Sequence, residues 1–361
     1  VPYPADYGGV IDVFFRIKAL HEIGVKIHLH CFEYGRVEKT ELNKYCFEVN
    51  YYKRDRGLRG FSFSLPYIVK SRANKNLLQN LLKDVHPVLL EGIHCTYFLF
   101  TGQLKNKKVF VRLHNVEFEY YNQLAKNENS FFKKIYFQTE SQLLKKYEKS
   151  IADKATLLAI TQKDVDTYKN IFGATDIKYL PVFLPYHSVA CKEGKGNYCL
   201  FHGNLSIADN AKAVIWLCEN VFNELEIPLI IAGKNPSEKL TGIVAHYKNI
   251  SLIANPSDAQ MNDLICNAQI NILPSFNSTG IKIKLLNALF KGRYCIVNNA
   301  TIDGTGLGSL CHIAESDDGF KASVKQLFNE SFAATEIEKR KQLLKEFDNK
   351  INAELLMKWI L

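Results

Sequence analysis

Two lysines, Lys282 and Lys284, lie in the stretch FNSTGIKIKLLNALFKG (276–292), where the chain turns at Gly280 into an apolar helix with Thr279 as its expected N-cap. A helix start carries about half a positive charge, so a cation there is unfavourable by roughly 0.3–1 kcal/mol. The plain resolution is that both lysines are solvated. The sharper one is an anion: free N–H groups near Gly280 and Ile281, the dipole and a lysine together make a phosphate site. At about 100° per residue Lys282 points ~200° away from Lys284, so the two need not share a partner. Lys284, Asn287 and Lys291 share one face, while Leu285, Leu286 and Leu289 supply the buried side.

Other residues could do chemistry at the ends of strands. VRLHNVEFEYY places His114, Asn115 and Glu117 just past an apolar run. A lone histidine is commonly structural, but three clustered polar groups favour a cleft role. Gly203-Asn204 in FHGNLSIADN, Gly233-Lys234 in IAGKNP and Gly8-Gly9 in PADYGG stand at turns from strand to helix. Each is an ordinary turn or a place where backbone approaches a ligand. There is no G-x-G-x-x-G or Walker A sequence, no G-x-S-x-G elbow and no HExxH. Nine scattered cysteines without a C-x-x-C pair read as reduced, mostly buried thiols of a cytosolic protein, not as a zinc site or disulfide framework.

The elements that must position these groups alternate. VIDVFFRIKALHEIG has helical spacing at Val10, Phe14, Ile17 and Leu20, and VKIHLHCF then alternates as a strand. HPVLLEG, KKVFVRLHN and TLLA are further strands, and SFFKKIYFQTESQLLKKYEKSIADKA is a long amphipathic helix. The second half repeats the pattern: strands YCLFHG, PLIIAGK, NISLIA, INILPS, YCIVNN and LCHIAES alternate with five helical stretches. Short β-rich runs separated by crossover helices imply α/β architecture with parallel sheets. The aperiodic YLPVFLPYHSVACKEGKGN reads as a linker. The chain thus divides into domains 1–184 and 185–335, with 336–361 a helix returning to the first; the cleft between lobes is the expected site. The chain opens at Val1 in a loop, so a first strand is expected upstream.

The charge is unevenly divided. Residues 1–184 hold 28 Lys+Arg against 19 Asp+Glu, and residues 185–361 are balanced at 18 each. YYKRDRGLRGF and SFFKKIYF interleave cations with aromatics, either as solvated faces or as contacts to an anionic membrane surface. No nucleic-acid module accompanies the charge.

Taken in order, PYPADYGG, VRLHNVEFEYY, ADKATLLAITQKDVDTY, FHGNLSIADNAKAVIWL, LIIAGKNP and FNSTGIKIKLLNALFKGRYCIVNN resemble bacterial GT-B glycosyltransferases of the family-four type, over about residues 2 to 320. The resemblance implies two Rossmann-like domains, acceptor-binding then donor-binding, and a crossover helix. It implies transfer of a hexose-type sugar from a nucleotide-diphosphate sugar to a glycan or lipid-linked acceptor in surface glycan synthesis. It further implies retention of anomeric configuration, no metal or other cofactor, and a cytoplasmic protein, peripheral at the inner membrane face. Lys284 matches the lysine that neutralises the donor diphosphate, and His114 the residue beside the transferred sugar. Gly9 and Gly203 match glycines of the donor site, where Asn204, Gly233, Thr279, Gly280, Ile281, Lys282 and Asn287 also fall; Asn115 and Glu117 belong to the acceptor side. Many members carry two glutamates where this chain has Thr279 and Asn287, and a basic pair where it has Asn204 and Asp209 or Asn210. An amide is no carboxylate. The alternatives are a sugar-nucleotide-binding scaffold without catalysis and a nucleotide-sugar epimerase.

Overall fold

The apolar spacing of the first helix is realised: Gly8–Glu22 buries Val10, Phe14, Ile17 and Leu20 on one stripe. Gly24, at φ +87°, turns the chain out of it towards the strand His28–Glu33. The computed structural model describes every residue except Tyr7, Tyr34 and Asn129; the Tyr7 position of the PADYGG loop therefore lies outside the described residues.

Two units make up the chain, Val1–Pro185 with Glu346–Leu361, and Tyr186–Lys345. In the first, four parallel strands run in sequence order: Val88–Glu91, Val109–Arg112, Thr156–Ala159 and Ile177–Tyr179. A separate parallel pair joins His28–Glu33 to Glu48–Lys53. The second strand of that pair went unread in the sequence because its EVNYYK pattern merges with the basic run that follows.

The second unit is a six-stranded parallel sheet. Its order is His312–Ile313, Tyr294–Val297, Ile270–Ile272, Cys199–Asn204, Leu229–Lys234 and Ile250–Ala254. The chain starts in the middle at Cys199–Asn204, builds outward on one side, then returns to build the other from Ile270–Ile272. The crevice between these two central strands is the switch point at which doubly wound sheets bind ligands. All six strands and the five helices of the sequence reading are present, Ala208–Trp216, Glu238–Ala245, Asp258–Asn267, Ile283–Lys291 and Asp317–Asn329.

The segment 336–361 is not one helix. Ala334–Leu343 belongs to the second unit; a 3₁₀ turn, Leu344–Phe347, follows, and Asp348 then starts a new helix, Asn349–Ile360, by accepting the Ile351 N–H at 2.9 Å. That last helix lies in the first unit, where Ala353 and Leu356 pack with Ala19, Leu20, Phe110 and Leu158. All nine cysteines are free thiols.

Candidate active site

The loop 273–282 leaves the central strand Ile270–Ile272 and is pinned on both sides. Asp209, in the first turn of Ala208–Trp216, accepts the Ser275 hydroxyl and the Phe276 N–H at 3.1 Å each. Asn298, just past Tyr294–Val297, accepts the Ser275 N–H at 3.0 Å and donates to its carbonyl at 2.8 Å. Thr279 is not the N-cap: its N–H and hydroxyl both donate to Asn277 Oδ1 at 2.8 Å. The chain then turns through left-handed Gly280 (φ +63°), and the helix starts three residues later than expected, at Ile283, with Lys282 at the cap position. No side chain caps this helix. Its first N–H groups, at Ile283 and Lys284, therefore have no capping side chain.

The two lysines separate. Lys282 folds back onto the carbonyls of Thr279 and Gly280. Lys284 reaches across the switch point: Nζ donates to Asn210 Oδ1 at 2.9 Å and lies 4.8 Å from the Phe201 ring centroid. Burial lowers its pKa to about 8, Lys282 adds to the shift and Asp209 opposes it. Its hydrogen-bond partner is a neutral amide and not a carboxylate, so no paired anion offsets the cost of its burial there. His202, on the neighbouring strand end, is buried and held neutral near Lys284, its pKa lowered to about 3 chiefly by desolvation.

Asn210 also lies against Gly203. Its Nδ2 donates to the Asn204 carbonyl at 2.8 Å, and a Cβ at Gly203 would stand 3.1 Å from that Nδ2. Gly233 is required by sheet packing, since a Cβ there would meet Gly203 O at 1.9 Å. Asn204 Oδ1 accepts from Ser206 N and Oγ, closing the turn. Asn287 sits on the same helix face as Lys284, where its amide oxygen accepts the Tyr186 hydroxyl; Tyr186 in turn stacks on Phe290 with centroids 5.0 Å apart. Nothing in the linker pattern marked Tyr186 as a partner of Asn287. Asp209 and Asn210 were visible only as departures from a basic pair.

The first unit holds a second constellation. Asp12 and Arg16, one turn apart in Gly8–Glu22, are both buried and joined at 2.9 Å. Arg112 brackets the same carboxylate with Nε and NH2 at 3.1 Å, and the Phe183 N–H donates to it at 2.8 Å. Burial would raise the Asp12 carboxyl, but Arg112 and Arg16 outweigh it and hold it far below the usual range. Arg16 also pairs with Glu91, whose Oε2 lies 3.3 Å from His114 Nε2, while His114 Nδ1 lies 4.0 Å from Asp12 Oδ2. His114, just past the strand Val109–Arg112, is thereby held between Asp12 of the helix Gly8–Glu22 and Glu91 at the end of the strand Val88–Glu91. A Cβ at Gly9 would stand 3.9 Å from His114 Nδ1, so Gly9 is a neighbour of the ring and not forced by contact.

Glu117 opens the helix Glu117–Asn127 but is buried, not displayed to solvent; burial pushes its pKa up to about 7, with His114 and Asn115 beside it opposing the shift. Glu148, from Phe131–Ile151, caps that helix by accepting the N–H groups of Glu117 and Phe118 at 2.8 and 3.0 Å and the Tyr168 hydroxyl at 2.7 Å.

A doubly wound parallel sheet with a lysine at its switch point, in a chain with a second parallel-sheet unit, is the architecture of the GT-B fold. The comparisons agree. The family model described as glycosyl transferases group 1 matches residues 196–330. A 44.6 kDa protein of the cps region of Klebsiella pneumoniae is 31% identical over 323 residues, covering 84% of this chain and 82% of that one. HepE of Anabaena, solved with UDP and glucose, superposes with a TM-score of 0.66 at 9% identity over 98% of this chain and 96% of its own. TarM of S. aureus, solved with UDP and α-GlcNAc-glycerol, gives 0.58 at 13% identity over 79% of this chain, which spans 57% of the TarM chain. The chain belongs to the group 1 glycosyl transferases and has the GT-B fold.

Proposed function

We propose that the protein transfers a hexose-type sugar from a nucleotide-diphosphate donor, UDP-linked in the first instance, to a glycan or lipid-linked acceptor of a surface polysaccharide, with retention of configuration. The observation that carries the reading is Lys284: a partly buried ammonium with an amide partner, beside an uncapped helix start. In glycosyl transfer from such a donor, charge develops on the departing diphosphate. A fixed lysine and helix N–H groups in place before the reaction stabilise it without reorganisation. In this reading Gly280, Ile281 and Lys282 border the diphosphate, Asn287 meets the nucleoside, and His114 lies beside the transferred sugar.

The UDP in the HepE and TarM structures supports the donor class, and the cps-region relative supports a surface polysaccharide. Among the described residues no helix is long and apolar enough to cross a membrane. Work at the cytoplasmic membrane face is supported by the excess of cations in residues 1–184. The chemistry asks for no metal, so transfer is expected to be undiminished in EDTA.

Thermal unfolding with a panel of nucleoside diphosphates and nucleotide sugars tests the donor, because a bound ligand stabilises the fold by mass action. A shift with UDP in the wild type and none in Lys284→Ala is expected; an unchanged response in the variant sinks the reading. A scaffold role has one observation in its favour, the amide at Asn287 already engaged by Tyr186. Donor binding without transfer over an acceptor panel would favour it.

A further inference from the structure

We infer that the first unit carries a subsite for the phosphate of a lipid-linked acceptor, in a cavity of about 890 Å³ walled by Arg36, Lys53, Arg54, Arg56 and Arg59. The assignment of this ligand as an acceptor rests on the glycosyl-transfer reading above. Five cations face two carboxylates, Glu33 and Asp55, so the cavity is net positive. Its place in the fold is that of a ligand site. Glu33 and Lys53 are the last register pair of the parallel strands His28–Glu33 and Glu48–Lys53, and the cavity lies just past their carboxyl ends.

The cavity is tied to the segment that leads into the helix Gly8–Glu22, which carries Gly9. Arg36 donates to Asp6 and to the Pro4 carbonyl, three to five residues before the Gly9 neighbour of His114. Arg54 is oriented from behind, with Nε 2.7 Å from Ser71 Oγ and its guanidinium over the Tyr67 ring. Arg56 and Arg59, both exposed, complete the lining, and a guanidinium fork suits a phosphate because it can donate two parallel hydrogen bonds to it.

The apolar rim selects the source of that phosphate. Val37 and Leu58 line the cavity yet are 66% and 91% exposed. A merely solvated basic face has no use for them. Cations with unshielded aliphatic side chains among them match an amphiphile, whose head enters the cavity and whose chain lies along the rim.

Co-sedimentation of the full chain with phosphatidylcholine vesicles tests this. One arm carries a long-chain polyisoprenyl phosphate, a second carries phosphatidylglycerol at the same surface charge, and a third adds inorganic phosphate to the first. The wild type is expected to bind the polyisoprenyl phosphate vesicles roughly tenfold more tightly than the phosphatidylglycerol ones, and the exposed-site variant Arg56→Glu/Arg59→Glu to lose that preference. Its melting temperature and its UDP-induced shift are expected to be unchanged. Equal binding to both anionic vesicles would reduce the cavity to bulk charge. Release by inorganic phosphate would make it a free-phosphate site, and full retention by the variant would place the ligand elsewhere; each overturns the inference. A wild type with no UDP shift but with selective vesicle binding would defeat the glycosyl-transfer reading and leave the phosphate subsite standing.

Discussion

Lys284 Nζ stands 2.9 Å from the amide oxygen of Asn210, across the two central strands of the second sheet and 74 residues away in sequence. A carboxylate at residue 210 would neutralise the lysine and, on the proposed donor reading, compete with the diphosphate. The amide orients the ammonium without neutralising it.

Because burial holds the Lys284 pKa at about 8, the ammonium loses its proton as pH rises through that value. Nucleoside diphosphate affinity is therefore expected to be level below about pH 7 and to fall above pH 8, approaching about tenfold per unit if binding requires the charged form. Calorimetric titration with UDP from pH 6 to 9.5 measures it. Asn210→Asp should weaken UDP binding across the lower part of this range, with the melting temperature of the free protein little changed.

Asn287 is the position at which the family resemblance expects a carboxylate. Asn287→Glu restores a charged acceptor and keeps an oxygen for the Tyr186 hydroxyl. Hydrogen bonds to a charged group are worth about 1.5–3 kcal/mol, so UDP affinity should rise by at least several-fold while a diphosphate without ribose gains nothing. Equal gains for both would mean that residue 287 does not meet the nucleoside.

Asp12 collects Arg16, Arg112 and the Phe183 N–H in a buried network. Asp12→Asn removes the charge but leaves both guanidinium groups inside. Breaking one side of a buried pair costs about 3–5 kcal/mol, and denaturant unfolding of the first unit should show a loss of that order. The second unit's response to UDP should survive.

Glu148 gives a pH dependence of opposite origin. Burial raises its pKa from 4.5 to about 8, opposed by the Tyr168 hydroxyl and the two backbone N–H groups it accepts. A carboxyl raised on folding binds its proton more tightly in the native state, so its contribution to stability is full below about pH 4.5 and is lost as pH rises towards 8. Glu148→Gln should flatten that slope. It should also lower stability by about 1–3 kcal/mol at pH 6, because its NH₂ faces the Phe118 N–H. Unfolding at pH 6 and 8 in both proteins separates the two effects.

The parallel architecture was legible because short β-rich runs and helical stripes alternate along the chain. The donor-side helix was legible as an element but not in its start: Gly280 marks a turn, and only the backbone shows that Thr279 serves Asn277 and that three residues intervene before Ile283. Partners were the least legible, since Asn210 and Lys284, or Asp12 and Arg112, meet only when distant strands pair. A signal for the second pair was present. Asp12 and Arg16 stand at i, i+4 inside an otherwise apolar helical run, and two opposite charges on the buried side need each other or a third group. The strand Glu48–Lys53 was obscured by the basic segment whose far side walls the cavity.

The first unit is interrupted at Pro185 and resumes at Glu346, and the helix Asn349–Ile360 supplies Ala353 and Leu356 to its core. A ribosome therefore delivers the second unit whole before the first can be finished. The stripe of Ala19, Leu20, Phe110 and Leu158 must wait, partly uncovered, until the final helix emerges. Synthesis and completion run in opposite orders, and the nascent chain is most exposed to aggregation or to a chaperone in the half made first.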